Sequence, residues 1–246
     1  MNLVNLSGKH LFVTGASSGI GRAVSILCAD LGATLTITGR NEKRLNDTLT
    51  SLSGEGHTAI CCELTDYGSM INMVEQLPLL NGVVFCAGVQ ETCLTKNINI
   101  KVLNKLLNTN YISTVLLNAQ ILSKKKIIKG ASVVFISSIA ASQCAEIGNA
   151  IYGSTKAALT SYARVLALEL SARRIRVNTI SPGMVHTPLQ EQFDISPEQF
   201  QEDEKRYPLG YGEPEDVANV VAFLLSDASK WMTGSDLLLD GGFSLR

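Results

Sequence analysis

Tyr152 and Lys156 stand four residues apart in the run Tyr152-Gly153-Ser154-Thr155-Lys156. The run opens an alanine- and leucine-rich stretch that predicts a helix, and a spacing of four places both side chains on one helical face. A free phenol keeps its proton up to about pH 10. A cation beside it stabilises the phenolate and lowers that value. The pair is therefore a candidate acid/base device for moving a proton to or from an oxygen. On a solvated helix the same spacing usually carries no chemistry, so the surrounding elements decide the reading.

Those elements alternate. Short β-branched runs at His10–Thr14, Thr34–Thr38, Thr58–Cys62, Val83–Cys86, Ser132–Ser137, Arg176–Ser181 and Asp236–Leu239 predict about seven strands, with helical patterns between them. Such alternation predicts an α/β fold: one doubly wound parallel sheet with helices on both faces, Rossmann-like, in a single domain over 1–246. Val83-Val84-Phe85-Cys86 is apolar on both sides, as a sheet covered on both faces requires. The first strand runs into Thr14-Gly15-Ala16-Ser17-Ser18-Gly19-Ile20-Gly21 and then an apolar-periodic helix. Glycines at a strand-to-helix switch let backbone N–H groups approach a pyrophosphate at the helix N-terminus. The spacing is Gly-x-x-x-Gly-x-Gly. The second strand ends Ile37-Thr38-Gly39-Arg40-Asn41, where dinucleotide folds commonly place a carboxylate for the ribose hydroxyls. Arg40 stands there instead. A guanidinium can bind a 2′-phosphate through two parallel hydrogen bonds, and the start of a helix is a poor place for an idle cation. The expected cofactor is NADP(H).

Composition excludes several classes. The chain has 246 residues, 46% apolar and 17% charged, with net charge −1, which gives no electrostatic footprint for nucleic acid or an anionic membrane. Lys124, Lys125, Lys126 and Lys129 form the basic cluster, read as cations at a helix end. No stretch approaches the roughly 20 apolar residues that span a bilayer, and the start has no signal-peptide pattern, so a cytoplasmic protein is expected. The six cysteines form no Cys-x-x-Cys pair and read as small buried residues, with neither disulfide nor metal. His10, His57 and His186 read as structural. The irregular stretch 186–208 carries Pro188, Pro197 and Pro208 after the sixth strand and reads as a substrate lid. Its Glu191, Asp194, Glu198, Glu202, Asp203 and Glu204 outnumber Lys205 and Arg206, which points to a small uncharged substrate.

Over essentially its whole length the chain resembles the short-chain dehydrogenase/reductase family. The resemblance rests on the Gly15-Gly19-Gly21 turn, Asn110 in Leu107-Asn108-Thr109-Asn110-Tyr111, Ser138 after Phe135-Ile136-Ser137, and the Tyr152/Lys156 pair. Asn178, Ser181-Pro182-Gly183-Met184-Val185-His186-Thr187 and Asp240-Gly241-Gly242 complete it. It implies hydride transfer between a nicotinamide dinucleotide and a ketone, aldehyde or alcohol. Ser138 would hold the carbonyl oxygen, and Tyr152 would act as general acid or base. Lys156 would lower the tyrosine pKa and bind the nicotinamide ribose. Asn110 would anchor a water chain to Lys156. The cofactor would lie along Gly15, Ser17, Ser18, Gly19, Ile20, Gly21, Arg40, Glu63, Leu64, Ala87, Gly88, Pro182, Gly183, Val185 and Thr187, as well as Tyr152 and Lys156.

The sequence departs from the family pattern in three places. Phe85-Cys86 replaces an Asn-Asn pair thought to steady the sheet. Glu63 replaces an Asp near the adenine. Ser138 lies one residue further from Tyr152 than usual, which the loop Ile139–Ile151 would absorb and which keeps Ser137 as the alternative serine. Within the family the chain resembles both the 3-oxoacyl-carrier-protein reductases and the sugar or polyol oxidoreductases. A non-catalytic dinucleotide-binding regulator on the same fold is the competing class, and retention of both Tyr152 and Lys156 argues against it. The helix after Tyr152 is apolar on nearly every side, which predicts a homo-oligomer, dimer or tetramer.

Overall fold

Seven strands form one parallel sheet: β1 (His10–Thr14), β2 (Thr34–Gly39), β3 (Thr58–Cys61), β4 (Leu80–Phe85), β5 (Ile127–Ile136), β6 (Arg176–Pro182) and β7 (Asp236–Leu239). Their order is β3-β2-β1-β4-β5-β6-β7. The computed structural model describes residues 4–188 and 196–245. Residues 189–195, which hold Glu191 and Asp194 of the expected lid, lie outside the described residues.

Side chains alternate across the sheet. Phe12, Val83, Phe85, Val133, Phe135 and Val177 enter one core with α3 (Tyr67–Gln76), α5 (Ser113–Ser123) and α6 (Ala150–Leu170). Leu11, Val13, Leu35, Ile37, Val84, Val134, Ile136 and Ile180 enter the other with α1 (Gly19–Asp30) and α8 (Pro214–Leu225). Burial on both faces explains why the strands read as continuous apolar runs. The remaining helices are α2 (Glu42–Leu49), α4 (Ile100–Leu107) and α7 (Pro197–Glu204). The order of strand addition reverses at β1, which lies between β2 and β4, so a crevice opens at the C-terminal ends of β1 and β4.

Several expectations need correction. β4 and β5 begin earlier than expected, at Leu80 and Ile127, because a register shift between Leu80 and Gly82 lets the pairing resume across Gly130. Only Cys28 and Cys62 are buried; Cys61 is exposed and Cys86, Cys93 and Cys144 are partly so. The lysine cluster serves a helix end, but that of α3: Lys126 Nζ donates to the carbonyls of Glu75 (2.9 Å) and Leu77 (2.5 Å), and Lys124 pairs with Glu75 at 3.1 Å. Lys129 lies in β5. α6 follows expectation: the sheet covers one face, and Val165 and Leu168 are exposed. Among the described residues no helix is long and apolar enough to cross a membrane, and no cluster suited to a metal ion occurs.

Candidate active site

At the crevice, Thr14 Oγ1 accepts the N–H groups of Cys86 (3.1 Å) and Ala87 (3.2 Å), tying the end of β1 to that of β4. The chain then turns through Gly15 at φ +67°, in the left-handed region, where a Cβ would also lie 2.8 Å from the Ala87 nitrogen. A Cβ on Gly21 would lie 2.4 Å from the Gly15 carbonyl oxygen. α2, α3 and α4 are capped by the side chains of Asn41, Asp66 and Asn99. α1 is not: Ser18 makes no capping bond and the first turn holds no acid. The leading N–H groups of α1 are thus left for an anion, and the tight glycine turn fits a pyrophosphate. Ser17 adjoins the β2 tip, where a Cβ on Gly39 would lie 3.1 Å from its Oγ. Arg40 follows, exposed and without an ion pair among the described residues. Leu64 is buried nearby. Glu63 Oε1 accepts the Thr65 N–H (3.1 Å) and hydroxyl (2.9 Å), so the local turn uses one oxygen of the carboxylate assigned to the adenine.

A cleft continues from this turn across the ends of β4, β5 and β6. Of the expected residues, Ile20, Gly88, Ser138, Tyr152, Lys156, Pro182, Gly183, Val185 and Thr187 line it. Gly15, Ser17, Ser18, Gly19, Gly21, Arg40, Glu63, Leu64, Ala87 and Asn110 do not. Thr187 reaches back over the turn, its Cγ2 lying 3.1 Å from where a Cβ on Gly19 would stand.

Ser138 caps the short turn Ile139–Ala141, its Oγ accepting the Ala140 N–H at 3.2 Å, and its hydroxyl lies near enough to Tyr152 to favour the phenolate. Ser137 Oγ instead bonds Thr160 Oγ1 (2.9 Å) and the Lys156 carbonyl (3.2 Å), so its hydroxyl is spent inside the fold. Lys156 is 5% exposed; its Nζ donates to the Ile136 carbonyl at 2.9 Å and lies 5.7 Å from the centre of the Tyr152 ring. Burial pulls the Lys156 ammonium down to about 8. Burial also raises the Tyr152 phenol above its ordinary value, outweighing the Ser138 hydroxyl. This corrects the expected lowering: in the unliganded protein desolvation disfavours both charged forms, and the nearby cation does not reverse it.

The Ser138 turn and α6 meet closely at Gly153, where a Cβ would lie 2.5 Å from the Ala140 carbonyl oxygen. Gly153→Ala should therefore force α6 from the turn, costing about 1–3 kcal/mol as overpacking does and separating Tyr152 from Ser138. Urea unfolding and turnover should both fall; an unchanged midpoint with full activity would exclude this contact as a positioning device.

Asn110 does not lie mid-way along a regular helix. It sits in a π-turn, Asn108–Ile112, between α4 and α5, a local form frequent at functional sites. Its Oδ1 accepts the Val89 N–H (2.8 Å), and its Nδ2 donates to the Val89 carbonyl (2.9 Å) and Thr155 Oγ1 (3.2 Å). The side chain thus clamps the loop after β4 to α6, and its Oδ1 flanks Gly88 together with Lys156 Nζ. The Phe85-Cys86 departure leaves the sheet steadied by apolar contact: Phe85 stacks on Phe135 at 4.7 Å, with Tyr162 edge-on at 6.0 Å. Cys86 lines the cleft, and burial pushes its thiol up to about 12.

Gln90, Cys144, Glu146, Asn149, Met184 and Tyr207 also line the cleft, and sequence reasoning did not single them out as site residues. They lie on loops or turns without periodicity. The one available signal was the lengthened loop Ile139–Ile151, which holds three of them. Burial and the charge of Asp203 raise the Glu146 carboxyl above the usual carboxylate range.

A glycine turn at a sheet crevice, with serine, tyrosine and lysine converging beside it, is the architecture of a dinucleotide-dependent oxidoreductase. A family model described as enoyl-(acyl carrier protein) reductase matches residues 15–244. The chain is 31% identical over 241 residues to a 3-oxoacyl-(acyl-carrier-protein) reductase from Rickettsia felis, covering 98% of each chain. It is 33% identical over 243 residues to a D-erythrulose reductase from Gallus gallus, covering 98% of this chain and 97% of the relative. A solved short-chain dehydrogenase/reductase family protein superposes with a TM-score of 0.88 at 34% identity, covering 98% of this chain and 99% of the other. The chain belongs to the short-chain dehydrogenase/reductase family and is an oxidoreductase.

Proposed function

We propose that the protein is an NADP(H)-dependent carbonyl reductase acting on a small ketone or aldehyde, with Ser138, Tyr152 and Lys156 at the reacting centre. The observation that carries this reading is their convergence in one cleft, next to a helix N-terminus left open for a pyrophosphate. Gly15, Ser17, Ser18, Gly19, Ile20 and Gly21 would hold the phosphates, Arg40 the 2′-phosphate, Glu63 and Leu64 the adenine side, Ala87 and Gly88 the adjoining ribose. Pro182, Gly183, Val185 and Thr187 would hold the nicotinamide end. When bound, the dinucleotide supplies the hydride. Ser138 orients the carbonyl oxygen, and Tyr152 gives its phenolic proton to that oxygen as negative charge develops there. A phenol that burial keeps protonated is in the donor form at neutral pH, as the reductive step requires. Lys156 holds the ribose and replenishes the tyrosine's proton, and Asn110 fixes the Val89 loop against α6.

The relatives are named for reduction of a carrier-bound oxoacyl group and of D-erythrulose, which brackets the substrate class. The described part of the lid remains acidic, with Glu198, Glu202, Asp203 and Glu204 against Lys205 and Arg206, which favours an uncharged substrate over an acidic carrier protein. Exposed Val165 and Leu168 on α6 support a homo-oligomer, dimer or tetramer, and six unpaired cysteines suit the cytoplasm.

Arg40→Ala tests the cofactor choice. Loss of a charge-assisted hydrogen bond costs about 1.5–3 kcal/mol, so NADPH binding should weaken by that amount while NADH binding is spared. Equal affinity of the wild-type protein for NADH and NADPH in a titration would overturn the phosphate assignment.

A further inference from the structure

We propose that the outer half of the cleft selects a small uncharged ketone with hydroxyl groups next to the carbonyl, and that Glu146, Asn149 and Gln90 are the residues that select it. The proposal rests on the carbonyl-reductase reading above and names its substrate class.

All three residues line the cleft together with Tyr152. They form a chain: Gln90 Nε2 donates to Asn149 Oδ1 at 3.2 Å, and Asn149 Nδ2 donates to Glu146 Oε2 at 3.3 Å. The direction of the chain is dictated by its end. A carboxylate only accepts, so Asn149 must present its NH₂ to Glu146 and its oxygen to the NH₂ of Gln90. This leaves acceptors over at both ends. Gln90 Oε1 has no partner among the described residues' hydrogen bonds, and Glu146 Oε1 has only Arg206 Nη1 at 3.8 Å, beyond hydrogen-bond reach. Arg206 is held elsewhere, paired with Asp203 at 2.5 Å and stacked over the Phe243 ring at 4.7 Å.

A wall with spare acceptors and a carboxylate only one-third exposed needs donors from its ligand. Hydroxyl groups bring them. An alkyl chain would desolvate the acceptors without replacing water's hydrogen bonds. A carboxylate or phosphate would bring no donor and would meet Glu146. A cation would meet Lys156, which lines the same cleft. Cys144, Met184 and Tyr207 also line it.

The test uses the full-length protein, saturating NADPH and three ketones: dihydroxyacetone, diethyl ketone, which replaces each hydroxyl by a methyl, and acetoacetate. One hydrogen bond to a charged acceptor is worth about 10–150-fold, so kcat/KM for dihydroxyacetone should exceed that for diethyl ketone by at least about tenfold, with acetoacetate poorest. Glu146→Leu should collapse the first ratio toward one, chiefly by raising KM for dihydroxyacetone. Glu146→Gln keeps an acceptor and removes the charge, so it should retain the hydroxyl preference while improving acetoacetate several-fold. A structural role would lower all three substrates together and would not be rescued selectively by glutamine. The proposal is overturned if the wild-type protein prefers diethyl ketone or acetoacetate, or if Glu146→Leu leaves the ratio intact. Turnover of none of the ketones, with NADPH bound, overturns instead the carbonyl-reductase reading on which it rests.

Discussion

Tyr152→Phe is expected to bind NADPH with nearly wild-type affinity and to turn over about 10²–10⁴ times more slowly, the usual worth of a positioned general acid. The substitution keeps the ring, and with it the helix face it occupies beside Ser138 and Lys156. It removes the only atom that can pass a proton to the carbonyl oxygen from that position. Burial favours the protonated phenol in the unliganded protein, so the wild-type donor is loaded near neutrality and the deficit should appear in kcat. Ser138 would keep the Ala140 N–H, which limits collateral disorder. Titration and steady-state turnover separate the two effects. Retention of more than a tenth of wild-type kcat would remove Tyr152 from the acid role.

Lys156→Met is expected to abolish most activity and yet stabilise the unliganded protein at pH 7. The ammonium is buried, with one hydrogen bond, to the Ile136 carbonyl. Its value falls from 10.5 to about 8 on folding. Below about pH 8 the lysine is charged in both states and the full burial penalty is present. Between about 8 and 10.5 the folded state releases the proton first, the unfolded chain binds more protons, and wild-type stability rises with pH. Above 10.5 the penalty is gone. At about 1.4 kcal/mol per unit the penalty near pH 7 is about 3 kcal/mol, offset by about 1 kcal/mol for the lost hydrogen bond. Urea unfolding should thus show the variant more stable by about 2 kcal/mol at pH 7, with the gap closing toward pH 10. A less stable variant at pH 7, or a gap independent of pH, would contradict this. A cation kept at such a cost in stability is a mark of a functional site.

The outline of the fold was legible because sheet and helix periodicities are written in residue types. The early parts of β4 and β5 were not legible, because they pair through an irregular register that spans Gly82 and Gly130 and that no periodicity signals. The glycine turn, Tyr152 and Lys156 were legible as candidates because they sit at fixed offsets on regular elements, whereas Ser138, one residue off the usual spacing, rested on the resemblance. The electrostatics of the site were not legible. A spacing of four says that a cation is near the phenol, but whether proximity or desolvation wins depends on burial, which only tertiary packing sets. Asn110 was found by its place in the chain, while its grip on Val89 depends on a π-turn that no periodicity signals. Gln90, Glu146 and Asn149 come from loops remote in sequence and meet only in the folded chain.

The most direct measurement mixes the purified wild-type protein with NADPH and dihydroxyacetone, follows the loss of NADPH absorbance and quantifies the alcohol formed, with Tyr152→Phe in parallel. The expected result is one alcohol per NADPH consumed by the wild-type protein, at a rate about 10²–10⁴ times that of a variant still saturated with NADPH. NADPH binding without consumption by the wild-type protein across ketones and aldehydes, or consumption at equal rates by both proteins, would contradict a carbonyl reductase that uses Tyr152 as its acid.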